Sequence, residues 1–181
     1  MYRRELLFGL AATALAACEP QRPLGADGLP IATVYRISAS DAAAVQFRML
    51  DSVNALRVRA GVPQVQLNAQ LNAAAATHAR DMSVQNRPWL FGSDGSSPLD
   101  RAQRAGFQGR LLGENISESY ESELQTLGAW MGQSDTRAVI LDPNAREMGI
   151  SWYQETAGKL WWCMNFGSDP AVSRPIPSVA N

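Results

Sequence analysis

Val45, Met49, Val53, Leu56 and Ala60 recur every three or four residues, and Leu67, Leu71, Ala74, Ala75, His78, Ala79 and Met82 repeat the pattern further on. Two helices must therefore each bury one apolar face. Ser40-Asp41 supplies a cap and a first-turn acid for the first, and Gly61 and Pro63 stop it. At the other end of the chain, Glu147 to Tyr153 and Lys159 to Phe166 are short aromatic-rich runs separated by Thr156-Ala157-Gly158, the signature of a β-hairpin. Between them, Gly92-Ser93-Asp94-Gly95 reads as a turn, and Ser97-Pro98 with Asp100 opens a short third helix that ends before Gly106. A fourth helix is expected from about Tyr120 to Gln133, with Tyr120, Leu124, Leu127 and Met131 at helical spacing and Glu118, Glu121 and Glu123 at its N-terminal end. Amphipathic helices and a small sheet satisfy one another as an α/β fold, a three-layer α/β/α sandwich with a small, mainly antiparallel central sheet.

The N-terminus has a different logic. Arg3 and Arg4 precede an apolar run from Leu6 to Ala14 that meets Leu15-Ala16-Ala17-Cys18, the order of an export signal with a small-residue cleavage site. The run is too short to cross a bilayer core of about 30 Å, which takes roughly 20 helical residues. Leu-Ala-Ala-Cys resembles the lipobox of bacterial lipoproteins, in which the cysteine thiol carries the diacylglyceryl group; an ordinary secretory signal is the alternative. Glu19, in place of an inner-membrane retention Asp, favours the periplasmic face of the outer membrane. Arg3-Arg4 leaves the choice between Sec and Tat export open. The expected organisation is a signal peptide over 1–17, lipidated Cys18 with a Pro- and Gly-rich tether over 18–40, one domain over 41–168 and a tail over 169–181. Within the tether, Ile31 to Ile37 is apolar enough to pack on the domain as an extended arm. Cleavage would leave 164 residues, enough for one self-sufficient core. Their formal charge of −2 gives no electrostatic reason to bind nucleic acid. Cys163, the second of two cysteines, would then be an unpaired buried thiol rather than a nucleophile.

Several segments in order resemble one family. These are Leu50-Asp51 and Val53-Asn54 ahead of Arg57, His78-Ala79-Arg80-Asp81-Met82, the Gly92 to Ser97 turn, Arg101, and Arg104-Ala105-Gly106-Phe107. Gly113-Glu114-Asn115-Ile116, Trp130-Met131 with Ser134, Leu141-Asp142-Pro143, Glu147 to Ser151 and Trp161 to Gly167 continue the series. Over residues 45 to 168 the chain is similar to bacterial members of the CAP superfamily (cysteine-rich secretory proteins, antigen 5 and pathogenesis-related proteins), the SCP domain. The resemblance implies the same α/β/α sandwich, and a central cleft where many members place two His and two acids able to hold a divalent cation. Here those positions carry Leu90, Thr136, Glu114 and Gln133. One ionisable side chain of four predicts no metal and no cofactor.

Glu114 has two readings, a cleft carboxylate that binds a ligand or moves a proton and a buried group that fixes the fold. His78 is either its acid-base partner in a hydrolase or a satisfied core residue. Asp94, Ser96 and Ser97 are read as turn and cap residues. Trp89-Leu90-Phe91 replaces a polar region with three large apolar side chains, which either plug the cleft, the preferred reading, or line an apolar groove. The function expected is an envelope-tethered, non-catalytic binding module for a protein, lipid or glycan. Glu114, Gln133, Thr136, Trp89 and Leu90 are its ligand contacts, and the membrane is held through Cys18. The alternatives are a hydrolase using Glu114 and His78, and a purely structural envelope protein with no pocket.

Overall fold

The computed structural model describes residues 34–119 and 121–169. The expected signal peptide, Cys18, the expected tether before Val34, Tyr120 and the chain beyond Asp169 lie outside the described residues. Helix α1 (Ala42–Arg59) buries Val45, Met49, Val53 and Arg57 on one face. Helix α2 (Ala69–Gln85) buries Leu71, Ala74, Ala75, His78, Ala79 and Met82. Leu67 does not join that stripe. It lies in the two-residue strand β1 (Gln66–Leu67), because Asn68 accepts the Leu71 N–H and starts the helix one residue later. Helix α3 (Pro98–Arg104) begins with the Ser97 and Asp100 capping box that its sequence announces.

Strand β2 (Leu111–Ser119), helices α4 (Glu123–Gly132) and α5 (Ser134–Ile140), and strands β3 (Glu147–Gln154) and β4 (Leu160–Gly167) complete the fold. The fourth helix starts at Glu123 rather than near Tyr120, since the Ser122 hydroxyl and Gln125 form its capping box. The sheet order is β1-β3-β4-β2, with β1 parallel to β3 and the other two pairings antiparallel. The turn between β3 and β4 falls where expected, with Gly158 at φ +105° supplying the left-handed residue.

Every residue of β4 is buried, so the sheet is covered on both faces. Leu160, Trp162, Met164 and Phe166 pack with α1 and α4, while Trp161 and Cys163 pack under Ala75, Ala79 and Met82 of α2. Adjacent tryptophans thus fill opposite cores, as strand alternation requires. Helix α2 presses hard on the sheet: a Cβ on Gly149 would run into the Leu71 and Asn72 backbone. Packed contacts begin at Val34, the first described residue, inside the segment assigned to the tether. Tyr35 and Ile37 join the α1 core, and the Gln154 side chain bonds both the Tyr35 carbonyl and the Ile37 N–H.

Candidate functional site

Glu114 lies in the middle of β2. It is opposite Asn165 on β4 and faces α2. Its Oε1 accepts a 2.7 Å hydrogen bond from Arg101 Nη2 and lies 3.6 Å from His78 Nε2; its Oε2 accepts from Cys163 Sγ at 3.3 Å. Arg101 is delivered by α3, one turn after the Ser97 cap. It also donates to the carbonyls of Ser96 and Leu90, both at 2.9 Å. One guanidinium therefore ties the 90–96 segment to the sheet. That segment is held from its other side by Asp81, which accepts from the N–H and hydroxyl of Ser93. Asp94 and Ser97 keep turn and cap roles, bonding the Ser96 N–H and the Asp100 N–H.

Burial sets the chemistry of this cluster. The side chains of His78 and Glu114 are 0% and 1% exposed, and among the described residues neither ring nitrogen of His78 has a well-formed hydrogen bond, the Trp89 backbone supplying only a marginal one. Burial, and then the Arg101 cation, holds the imidazole pKa down at about 4. Burial raises the Glu114 carboxyl above its usual range despite Arg101, and pushes the Cys163 thiol well up. At neutral pH His78 is uncharged and Cys163 is a thiol, a poor nucleophile. Glu114 and His78 are brought together, yet both side chains are shut from solvent, and the Glu114 residue reaches the surface through its backbone alone.

The depressed His78 pKa has a consequence for stability. The unfolded chain takes up a proton near pH 6.5 and the folded one only near pH 4, so stability falls as pH drops through that window. The loss should approach roughly 3 kcal/mol at its acid end. Urea midpoints of wild type and His78→Gln across this range check it, and equal slopes in the two proteins would refute it.

Beside the buried cluster, a recess of about 250 Å³ runs along the outer edge of β2, lined by Leu90, Glu114, Asn115, Ile116, Asp135, Thr136 and Val139. A second, of about 290 Å³, shares Leu90 and Ile116 and continues to Pro88, Trp89 and Phe91. Trp89, Leu90 and Phe91 are 38%, 45% and 48% exposed, so they do not plug the cleft. Arg101 holds the Leu90 carbonyl inward and leaves the three side chains outward, lining an open apolar groove. Leu90, Glu114 and Thr136 meet in one recess and Trp89 lines its neighbour, whereas Gln133 is exposed at the α4–α5 joint and lines neither. The recess also draws in Asn115, Ile116, Asp135 and Val139, none of which the sequence marks as a site residue. Two larger recesses of about 410 Å³, one between α2 and α3 and one between α1 and α4, are set apart from this groove.

A divalent cation does not suit this donor set. Leu90 offers no lone pair, the Thr136 hydroxyl donates to the Trp130 carbonyl at 2.6 Å, and the Glu114 carboxylate already faces a buried guanidinium. Among the described residues, no three His, Cys, Asp or Glu side chains are grouped to hold a metal.

Residues 50–166 match the family described as CAP, the cysteine-rich secretory protein family. The "Uncharacterized protein YkwD" of Bacillus subtilis (strain 168) is 25% identical over 122 residues, which are 67% of this chain and 47% of that protein. The chain thus spans about half the length of this curated relative. An extracellular SCP-domain protein from Bacillus anthracis str. Ames superposes with TM-score 0.65 at 20% identity, covering 74% of this chain and 45% of its own. An outer surface protein of Borrelia burgdorferi gives TM-score 0.65 at 12% identity, covering 75% of this chain and 98% of its own. At these identities the two structures share the fold with this chain: helices on both faces of a small, mainly antiparallel sheet.

Proposed function

The chain belongs to the cysteine-rich secretory protein family, and from that premise we propose that it is an exported, lipid-anchored and non-catalytic member that binds its ligand in the groove beside β2. The observation that carries this reading is the Arg101–Glu114 pair. The one ionisable group kept at the family's four ligand positions is occupied by a buried cation. The groove supplies what binding needs, apolar walls from Trp89, Leu90 and Ile116 and polar groups from Asp135 and Thr136. A protein, lipid or glycan segment is the class of ligand it suits. The hydrolase reading has against it the full burial of His78, and the purely structural reading has against it the open groove.

The anchor rests on the Leu15 to Cys18 motif. The descriptions of an extracellular protein and an outer surface protein among the structural relatives are in keeping with export to the bacterial envelope. Isothermal titration with zinc tests the metal-free site. No saturable heat is expected from the wild type, and stoichiometric binding lost in Glu114→Gln would sink the proposal.

A further inference from the structure

The apolar rim of the groove has no cover among the described residues. Isolated exposed apolar side chains are ordinary on a protein surface, but Trp89, Leu90 and Phe91 are consecutive, all more than a third exposed, and packed ring against ring with Trp89 and Phe91 at 5.9 Å. The Arg87 guanidinium sits 3.4 Å from the centroid of the Trp89 ring. An indole and aliphatic body capped by a cation matches the polarity gradient at a bilayer surface, with rings at the acyl boundary and guanidinium at the phosphates.

The position of this rim relative to the start of the folded domain gives it a destination. Val34 packs on Gly158 in the β3–β4 turn, and Arg36 bonds the Glu155 and Thr156 carbonyls of that turn. The next residue, Lys159, reaches the Asn86 side chain at 3.1 Å, and Asn86 caps α2 three residues before Trp89. The tether thus joins the end of the domain that presents the rim. We propose that Trp89, Leu90 and Phe91 form a second membrane contact, inserting into the interfacial layer of the bilayer to which Cys18 ties the chain. The proposal rests on the lipid-anchored reading. Val34 follows Cys18 by sixteen positions, a reach of at most roughly 55 Å, long enough to let the domain lie against the bilayer surface. A short tether also holds it at an effective concentration on the order of millimolar, so a contact too weak to recruit free protein is populated once anchored. Exposed Arg36 and Arg87 favour a surface carrying anionic phosphate.

The test uses full-length protein matured in its membrane and reconstituted into phosphatidylethanolamine and phosphatidylglycerol vesicles, with or without bromine on the upper acyl chain. Trp130, Trp161 and Trp162 are buried and Trp152 is half-buried against Trp162, so Trp89 is the exposed indole, and the difference between wild type and Trp89→Phe isolates its share of the quenching. Wild type should lose a measurable fraction of its emission in brominated vesicles. Trp89→Phe should lose several-fold less while staying vesicle-bound, and Phe91→Ser should weaken quenching of the retained Trp89. Lipidated wild type quenched no more than Trp89→Phe overturns the proposal, whether Trp89 then proves open to aqueous quencher or shielded from it by a protein partner. Mass spectrometry showing unmodified Cys18 overturns the anchored reading and this contact together, and so separates the two failures.

Discussion

Arg57→Met is expected to cost roughly 4 kcal/mol or more of folding stability, a large share of what a domain of this size possesses. Arg57 is wholly buried on α1, and its hydrogen bonds go to backbone carbonyls. Its Nε donates to the Pro63 carbonyl at 2.7 Å, Nη1 to Ile140 at 2.5 Å, and Nη2 to Asp142 and Ala145 at 3.0 and 3.2 Å. One planar fork thereby satisfies carbonyls from the loop after α1 and from the corner between α5 and β3. Burial lowers its pKa, and the Arg146 charge adds to this, yet a guanidinium stays protonated under all folding conditions. Replacing a buried ion pair by apolar residues can be harmless when both partners change. Here the partners are backbone, which no substitution removes, so methionine fills the space and leaves the carbonyls without donors. Arg57→Lys should recover only part of the loss, because a single ammonium cannot reach both loops at once. Urea denaturation at constant m measures it. A shift worth less than about 1 kcal/mol would mean that water replaces the guanidinium, and would refute the account.

What was legible in the sequence was legible where a local rule acts alone. The Ser97-Pro98-x-Asp100 cap and the Gly158 turn appear where their sequence puts them, because a cap and a positive φ are decided by neighbours in the chain. The stripes of α1 and α2 were readable because each helix buries one face over four or more turns. Helix α5 was not: it has seven residues, of which only Ile140 is fully buried, too few to show a period. Strand β1 has two residues and exists because β3 pairs with it. The outward setting of Trp89-Leu90-Phe91 could not be read from three apolar letters. The Arg101 bond to the Leu90 carbonyl decides it, across eleven residues. Arg101 stands in the sequence only as one residue of the family resemblance, and the approach of α3 to β2 makes it the partner of Glu114.

That partnership yields the second large effect. Glu114→Ala should destabilise by roughly 3–5 kcal/mol, because it strands a guanidinium that is 5% exposed. Arg101→Met should cost a similar amount for the converse reason, and it also frees the Ser96 and Leu90 carbonyls. The double variant should then cost clearly less than the two losses combined, with a coupling of roughly 1–3 kcal/mol, since neither charge remains to be compensated. Glu114→Gln keeps an oxygen for Arg101 but not the charge, and should fall between wild type and alanine. The raised Glu114 pKa does not contradict a structural role. Desolvation is the largest influence on the carboxyl and Arg101 offsets it only in part, which makes the pair costly to bury and costlier still to break. A carboxylate kept for ligand or proton transfer behaves otherwise. Active-site groups are commonly held at some expense to the fold, so removing one leaves stability unchanged or improved. If Glu114→Ala unfolds at the wild-type midpoint and loses binding in the groove, the carboxylate serves the ligand. If it unfolds early and the Arg101→Met double variant recovers part of the loss, the carboxylate is a structural brace, and the groove beside it must bind with Asp135, Thr136 and its apolar rim.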